Sequence, residues 1–262
     1  QSTIDNQQSK GNQTINNRQS SIQRQSTIDN PMTNDLIETA DRVMAATYSR
    51  FPILLTHGDG CTLYDANGRT YTDFVAGIAV CNLGHAHPGI AQAIADQARR
   101  LVHVSNLYYT EPQTTLAEWL VEHSFAGRVF FCNSGAEANE AAIKLSRKYF
   151  KDRGSPERFR IITMEGSFHG RTMATLSATG QAKIQKGFEP LVDGFEIVPF
   201  NDLEAVRDAI TGETCAVMLE PIQGEGGVRC HAPGYLKGLR ELCDQEGLLL
   251  IFDEVQTGMG RT

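Results

Sequence analysis

The sequence predicts an α/β protein built on a mostly parallel sheet. Three observations predict it. The runs FRIITM (159–164), TCAVMLE (214–220) and GLLLIFDE (247–254) are continuously apolar at their centres, as strands buried on both faces are. Helical stretches separate these runs, which is the order of strand–helix–strand crossovers. Polar groups cluster where the runs end, and open parallel sheets bind ligands beyond those ends.

Each element follows from its own pattern. Residues 33–48 predict a helix, because Leu36, Ile37, Ala40, Val43 and Met44 recur at helical spacing. GDGCTLYDANGRTYTDF, 58–74, alternates about Asn67-Gly68 and predicts a hairpin. GHAHPGI, 84–90, reads as a loop opening a helix at about 89–103, and 111–123 predicts another helix with Pro112 in its first turn. RVFFC, 128–132, predicts the first buried strand. A helix follows over 135–150, with Ala138, Ala141, Ala142, Leu145 and Tyr149 on or near one face. FRIITM is the second strand, and EGSFHGRTMATLSATG, 165–180, reads as a Gly- and Thr-rich loop. GFEIVPF, 194–200, contains the third strand and 201–210 the helix after it. TCAVMLE is the fourth strand, 233–246 a helix with Pro233 near its start, and GLLLIFDE the fifth strand.

Composition removes several functions. The formal charge of −7, with no basic cluster, argues against nucleic acid and anionic membranes as partners. No stretch of eighteen uncharged apolar residues predicts a membrane span. Six cysteines without a C-x-x-C pair suggest free thiols in a reduced, cytoplasmic protein and no metal site. QSTIDN stands at 1–6 and again at 25–30, with Gln, Asn and Ser between. Residues 1–31 therefore predict a disordered tail, with 32–84 as a lead-in segment (a helix plus the hairpin) before the main domain over 85–262.

The strand ends carry the chemistry. SGAEANE, 134–140, matches a capping box in which Ser134 caps and Glu137 is the third helical residue. It leaves a small helix entrance at Gly135 and Ala136, which is either a plain cap or an anion site. Asp253 follows an apolar strand, so burial would raise its pKa unless donors or a cation met it. It either caps the next loop or holds a cationic ring nitrogen. Phe168 and Arg171 suit a planar ligand and a carboxylate, respectively, or else a core and a surface position. EPIQGEGG, 220–227, adds two acids in a glycine-containing loop at another strand end.

Taken together, YSRFP, DFVAGIAV, LGHAHP, SNLYYTEPQ, CNSGAEANEAAIKL, SFHGRT, LSATGQ, VPFND, EPIQGEGG and DEVQTGMGRT, from about Tyr48 to Thr262, resemble the class III pyridoxal-phosphate-dependent aminotransferases. Within that family the motifs are most similar to the acetylornithine subgroup. The alternatives are ornithine, succinylornithine or 4-aminobutyrate aminotransferases, a semialdehyde aminomutase, or a non-catalytic fragment. The resemblance implies fold type I, with a seven-stranded-type, mostly parallel large-domain sheet that is incomplete over 85–262. It implies pyridoxal 5'-phosphate as cofactor, an amino donor and a 2-oxo acid as substrates, and a homodimer when complete. Ser134, Gly135 and Ala136 would hold the phosphate, and Phe168 and Val255 would flank the ring. Asp253 would pair with the ring nitrogen and Gln256 would reach the phenolic oxygen. Arg171, Glu225 and Tyr48 would contact substrate. In the family a Schiff-base lysine lies roughly thirty residues beyond the DEVQ motif. No lysine here matches it, so the chain as written is expected to be inactive and unstable.

Overall fold

Residues 31–125 and 127–262 are described by the structure, a computed structural model. The tail expected over 1–31 lies outside them, apart from the backbone of Pro31. The chain divides into two compact units, with the boundary between His103 and Val104.

In the first unit, α1 (Pro31–Val43) precedes an antiparallel sheet of β1 (Leu55–Asp59), β2 (Thr62–Asp65) and β3 (Thr70–Thr72). The hairpin turn forms where Asn67-Gly68 predicts it. Gly68 takes φ +76°, and Asp65 Oδ1 accepts the Asn67 and Arg69 N–H groups at 2.8 and 2.9 Å. α1 stops at Val43, short of the predicted Tyr48. Val43 and Met44 are exposed, so no packed face carries the helix further. After a short helical turn at Ala76–Ala79, the predicted helix α2 (Pro88–Arg100) closes this unit.

The second unit opens with α3 (Glu111–Glu122), which starts through Pro112. RVFFC does not form the predicted strand. Among the described residues no neighbouring strand pairs with 128–132, and Phe130 is 69% exposed. An apolar run becomes a strand only where a ladder partner satisfies its backbone. α4 (Gly135–Asp152) follows. It buries Asn139, Ile143, Ser146 and Phe150, while Leu145 of the predicted face is 67% exposed. The helix is rotated from the apolar stripe because Asn139 has partners inside.

The remaining elements keep the predicted strand–helix alternation, with a short strand pair, β7–β8, added in the loop after β6. They are β4 (Arg160–Met164), α5 (Met173–Ala178) with a one-turn helix after it at Ala182–Gln185, β5 (Phe195–Val198), α6 (Leu203–Ala209) and β6 (Thr214–Leu219), then β7 (Ile222–Gln223), β8 (Arg229–Cys230), α7 (Tyr235–Glu246) and β9 (Leu249–Phe252). α5 is a correction, since 165–180 reads as loop in sequence. Thr175, Leu176, Ser177 and Ala178 are buried there, and Thr172 caps the turn reciprocally with Thr175. A four-stranded parallel sheet forms in the order β5-β4-β6-β9, against the seven-stranded type expected of a complete domain.

β6 is buried at all six positions, as a strand with neighbours on both sides and cover on both faces must be. On one face Ile162, Met164, Val217 and Leu219 pack with Val206 of α6 and Leu239 and Leu242 of α7. On the other, Ile161, Ala216 and Met218 pack with Ile143 and Phe150 of α4. Among the described residues no helix is long and apolar enough to cross a membrane.

Candidate active site

The strands β4, β6 and β9 lie side by side and run the same way, so the residues after Met164, Leu219 and Phe252 converge on one sheet edge. Asp253 extends the last ladder, its N–H bonding the Leu219 carbonyl at 2.8 Å. Its side chain turns inward and the residue is 6% exposed. Three donors meet the carboxylate. His169 Nδ1 and Asn139 Nδ2 each bond Oδ2 at 2.8 Å, and the Val255 N–H reaches Oδ1 at 3.1 Å. Burial by itself would raise this pKa. The His169 bond and charge, with the Val255 and Asn139 donors, outweigh burial and hold Asp253 below its ordinary value.

These donors are fixed in turn. Asn139 also donates to the His169 carbonyl at 2.8 Å, and the His169 N–H donates to Thr179 Oγ1 at 3.0 Å. The His169 ring is fully buried, and a carboxylate only accepts, so Nδ1 carries the hydrogen. Next along the edge, Glu220 is 5% exposed, and its Oε2 accepts the Phe168 N–H at 3.0 Å. Burial pushes Glu220 up to about 7, against the pull of the Phe168 N–H.

The start of α4 borders the same edge. Ser134 Oγ accepts the Glu137 N–H at 3.2 Å, as the capping box predicts. The Glu137 carboxylate reaches one residue further back than expected, to the Asn133 N–H. The Gly135 and Ala136 N–H groups have no acceptor among the described residues. Two such donors at the start of an eighteen-residue helix favour an anion. Gly135 is required by closeness. A Cβ there would stand 2.5 Å from Val255 Cγ1 and 2.9 Å from Cγ2. Gly170, at φ +135°, lets the 165–172 loop lie against Ala136 and Thr175.

The predicted residues are therefore partly assembled. Ser134, Gly135, Ala136, Val255 and Asp253 gather at the edge, and Phe168 is tied to it through Glu220 and its neighbour His169. Arg171 is exposed, with Cζ 5.6 Å from the Phe168 ring centre, within cation–π range. Gln256 Nε2 donates to Glu225 Oε1 at 3.2 Å. Tyr48 lies in the first unit, where it is 58% exposed. Sequence reasoning assigned no role to Asn139 or His169. His169 stood inside a flagged motif, and Asn139 gave only the weak sign of an amide within an alanine-rich helix.

A family profile described as "Aminotransferase class-III" matches residues 43–262. The chain is 56% identical over 230 residues to the acetylornithine aminotransferase of Myxococcus xanthus, covering 88% of this chain and 57% of that protein. It is 59% identical over 216 residues to that of Gloeobacter violaceus, covering 82% and 54%. The chain thus spans a little over half the length of the curated relatives it matches. Among solved structures, the N-acetylornithine aminotransferase of Stenotrophomonas maltophilia K279a aligns with a TM-score of 0.72 at 44% identity, over 86% of this chain and 55% of that one. The ornithine aminotransferase of Toxoplasma gondii ME49 aligns at 0.83 and 33% identity, over 87% and 54%. The parallel sheet with its flanking helices is the fold type I architecture of these neighbours. The chain belongs to the class III aminotransferase family.

Proposed function

We propose that this chain carries the cofactor-holding part of an acetylornithine aminotransferase. The enzyme would move an amino group from N2-acetyl-L-ornithine to 2-oxoglutarate, giving N-acetyl-L-glutamate 5-semialdehyde and L-glutamate, with pyridoxal 5'-phosphate as cofactor. The observation that carries the reading is Asp253, a buried carboxylate kept ionised at the end of β9 beside unpaired helix N–H groups. The substrate assignment leans on the relatives of that name.

The residues present fit the cofactor. A phosphate dianion suits the Gly135 and Ala136 N–H groups and the Ser134 cap at the start of α4. A protonated ring nitrogen suits Asp253, whose Oδ1 accepts only the Val255 N–H among the described residues. The bound cofactor supplies the electron sink that lets an amino acid release its α-proton. In this reading Asp253 keeps the ring nitrogen protonated. Phe168 and Val255 would flank the ring and Gln256 would take its phenolic oxygen. Arg171 takes a substrate carboxylate, with Glu225 and Tyr48 lining the substrate side. A homodimer is part of the proposal. Phe74 and Tyr109, 93% and 101% exposed, are surface that a second subunit would cover. The thiols, all free, suit a reducing cytoplasm.

The cofactor test needs no lysine. Pyridoxamine 5'-phosphate should bind the chain and quench on titration, and Asp253→Ala should weaken it at least about tenfold, the loss of one charge-assisted contact. No binding to wild type would sink the cofactor reading. Relative rates with acetylornithine, ornithine, succinylornithine and 4-aminobutyrate, measured on the naturally produced protein, test the subgroup. A preference for any of the last three overturns it.

A further inference from the structure

We propose that Glu220 is a positioning residue: its buried carboxyl group takes the Phe168 N–H and so fixes the Phe168–His169 segment over the ends of β6 and β9. The last arm of the test below rests on reading this edge as a cofactor site; the others do not.

Glu220 follows Leu219, the fully buried end of β6, and is itself 5% exposed. Among the described residues no Lys or Arg pairs with it; backbone N–H groups of Phe168 and Gly224 are its donors. A carboxyl buried with only backbone donors is costly to keep, and a neutral side chain would fill the space more cheaply. What the carboxyl does there is geometric. Phe168 immediately precedes His169, whose ring bonds Asp253. The segment is also held by the His169 N–H on Thr179, by Asn139 on the His169 carbonyl, by the Gln181 amide on the Ser167 carbonyl and by the Gly166 N–H on the Gly180 carbonyl. The carbonyl side of the Ser167–Phe168 peptide takes the Gln181 amide, and its N–H side is held by Glu220 at the end of β6.

The contact depends on charge. An N–H bond to a carboxylate is about twice as strong as one to a neutral acceptor. The titratable groups that bear on Glu220 are His169, from the loop, and Asp253, from the end of β9. Burial raises Glu220 to about 7, so the bond strengthens as pH rises through that value. Stability runs the other way. A raised carboxyl pKa favours the folded state fully below the ordinary value of 4.5, and that benefit is lost as pH rises through about 7.

The experiment follows the Phe168 amide by ¹H–¹⁵N NMR in the whole chain, with Glu220→Gln and Glu220→Ala. In wild type the amide shift should titrate with a midpoint near 7, and in Glu220→Gln it should be flat. Amide exchange at Phe168 should quicken about tenfold in Glu220→Ala and return to within about twofold in Glu220→Gln, whose amide oxygen still accepts. Pyridoxamine 5'-phosphate affinity should follow the same order. A titration that survives in Glu220→Gln does not come from Glu220 and overturns the proposal, as does unchanged exchange in Glu220→Ala. If the alanine variant does not fold, the glutamine variant's pH profile decides alone. Amide results as expected in a wild type that takes up no probe would leave the positioning role standing and remove the cofactor reading.

Discussion

Gly135→Ala tests whether Val255 closes over the start of α4. The new methyl would stand 2.5 Å from Val255 Cγ1, 2.9 Å from Cγ2 and 3.2 Å from Cβ. Carbon atoms rest at about 3.5–4.0 Å, so roughly 1 Å of overlap must be relieved. The backbone cannot easily give, because the Val255 N–H is held by Asp253. The side chain is 63% exposed and can turn away, but only by leaving its present place. Overpacking of this kind costs about 1–3 kcal/mol. Alanine in place of glycine in a helix returns up to about 1 kcal/mol. The net expectation is a loss of about 1 kcal/mol. Val255→Ala removes both γ-carbons and with them the two shortest contacts, leaving only Cβ at 3.2 Å. In a double-mutant cycle read by urea denaturation with far-UV circular dichroism, Gly135→Ala should therefore be neutral or stabilising on the Val255→Ala background. The coupling should be about 1–3 kcal/mol. Additivity to within about 0.5 kcal/mol would refute the contact, and with it the placing of Val255 at the helix entrance.

Three further outcomes follow from local geometry. Ser134→Ala removes the acceptor of the Glu137 N–H and should cost about 1 kcal/mol, seen as a lower Tm by calorimetry. Leu239→Ala empties a fully buried site beneath the sheet and should cost about 2–5 kcal/mol by urea midpoint; a smaller loss would mean that α7 is not packed there. Asp253 is held below its ordinary value of 3.8, so its stabilisation is present above that pH and is lost as pH falls through the lower folded value. Asp253→Asn should then be less stable than wild type at neutral pH, the gap closing in acid; a gap that stays constant with pH would contradict a charged, hydrogen-bonded carboxylate.

The legible parts of this molecule are those whose causes lie close together in the chain. The Ser134 cap and the Asn67-Gly68 turn each depend on a few neighbouring residues and were read correctly. Strands β4 and β6 announced themselves because burial on both faces demands apolar sequence, and β9 carries a like apolar run although it is only partly buried at the sheet's margin. RVFFC carries the same apolar mark and is no strand, because pairing is supplied by another segment. The face of α4 was misread for a related reason. Its buried Asn139 bonds residues 30 and 114 positions further on, and no helical periodicity reports such partners.

By itself the sequence determined the alternating α/β order, the cap at Ser134 and the acids that end β6 and β9. It also carried the motifs that mark the family. Each of these rests on short-range sterics, local hydrogen bonds or the period of apolar residues. Only the tertiary structure decided that Asn139 and His169 hold the Asp253 carboxylate, and that Glu220 takes the Phe168 N–H. Those bonds exist because parallel strands bring distant chain segments to one edge. The ionisation of a buried acid is set by the donors it meets there, not by its neighbours in sequence.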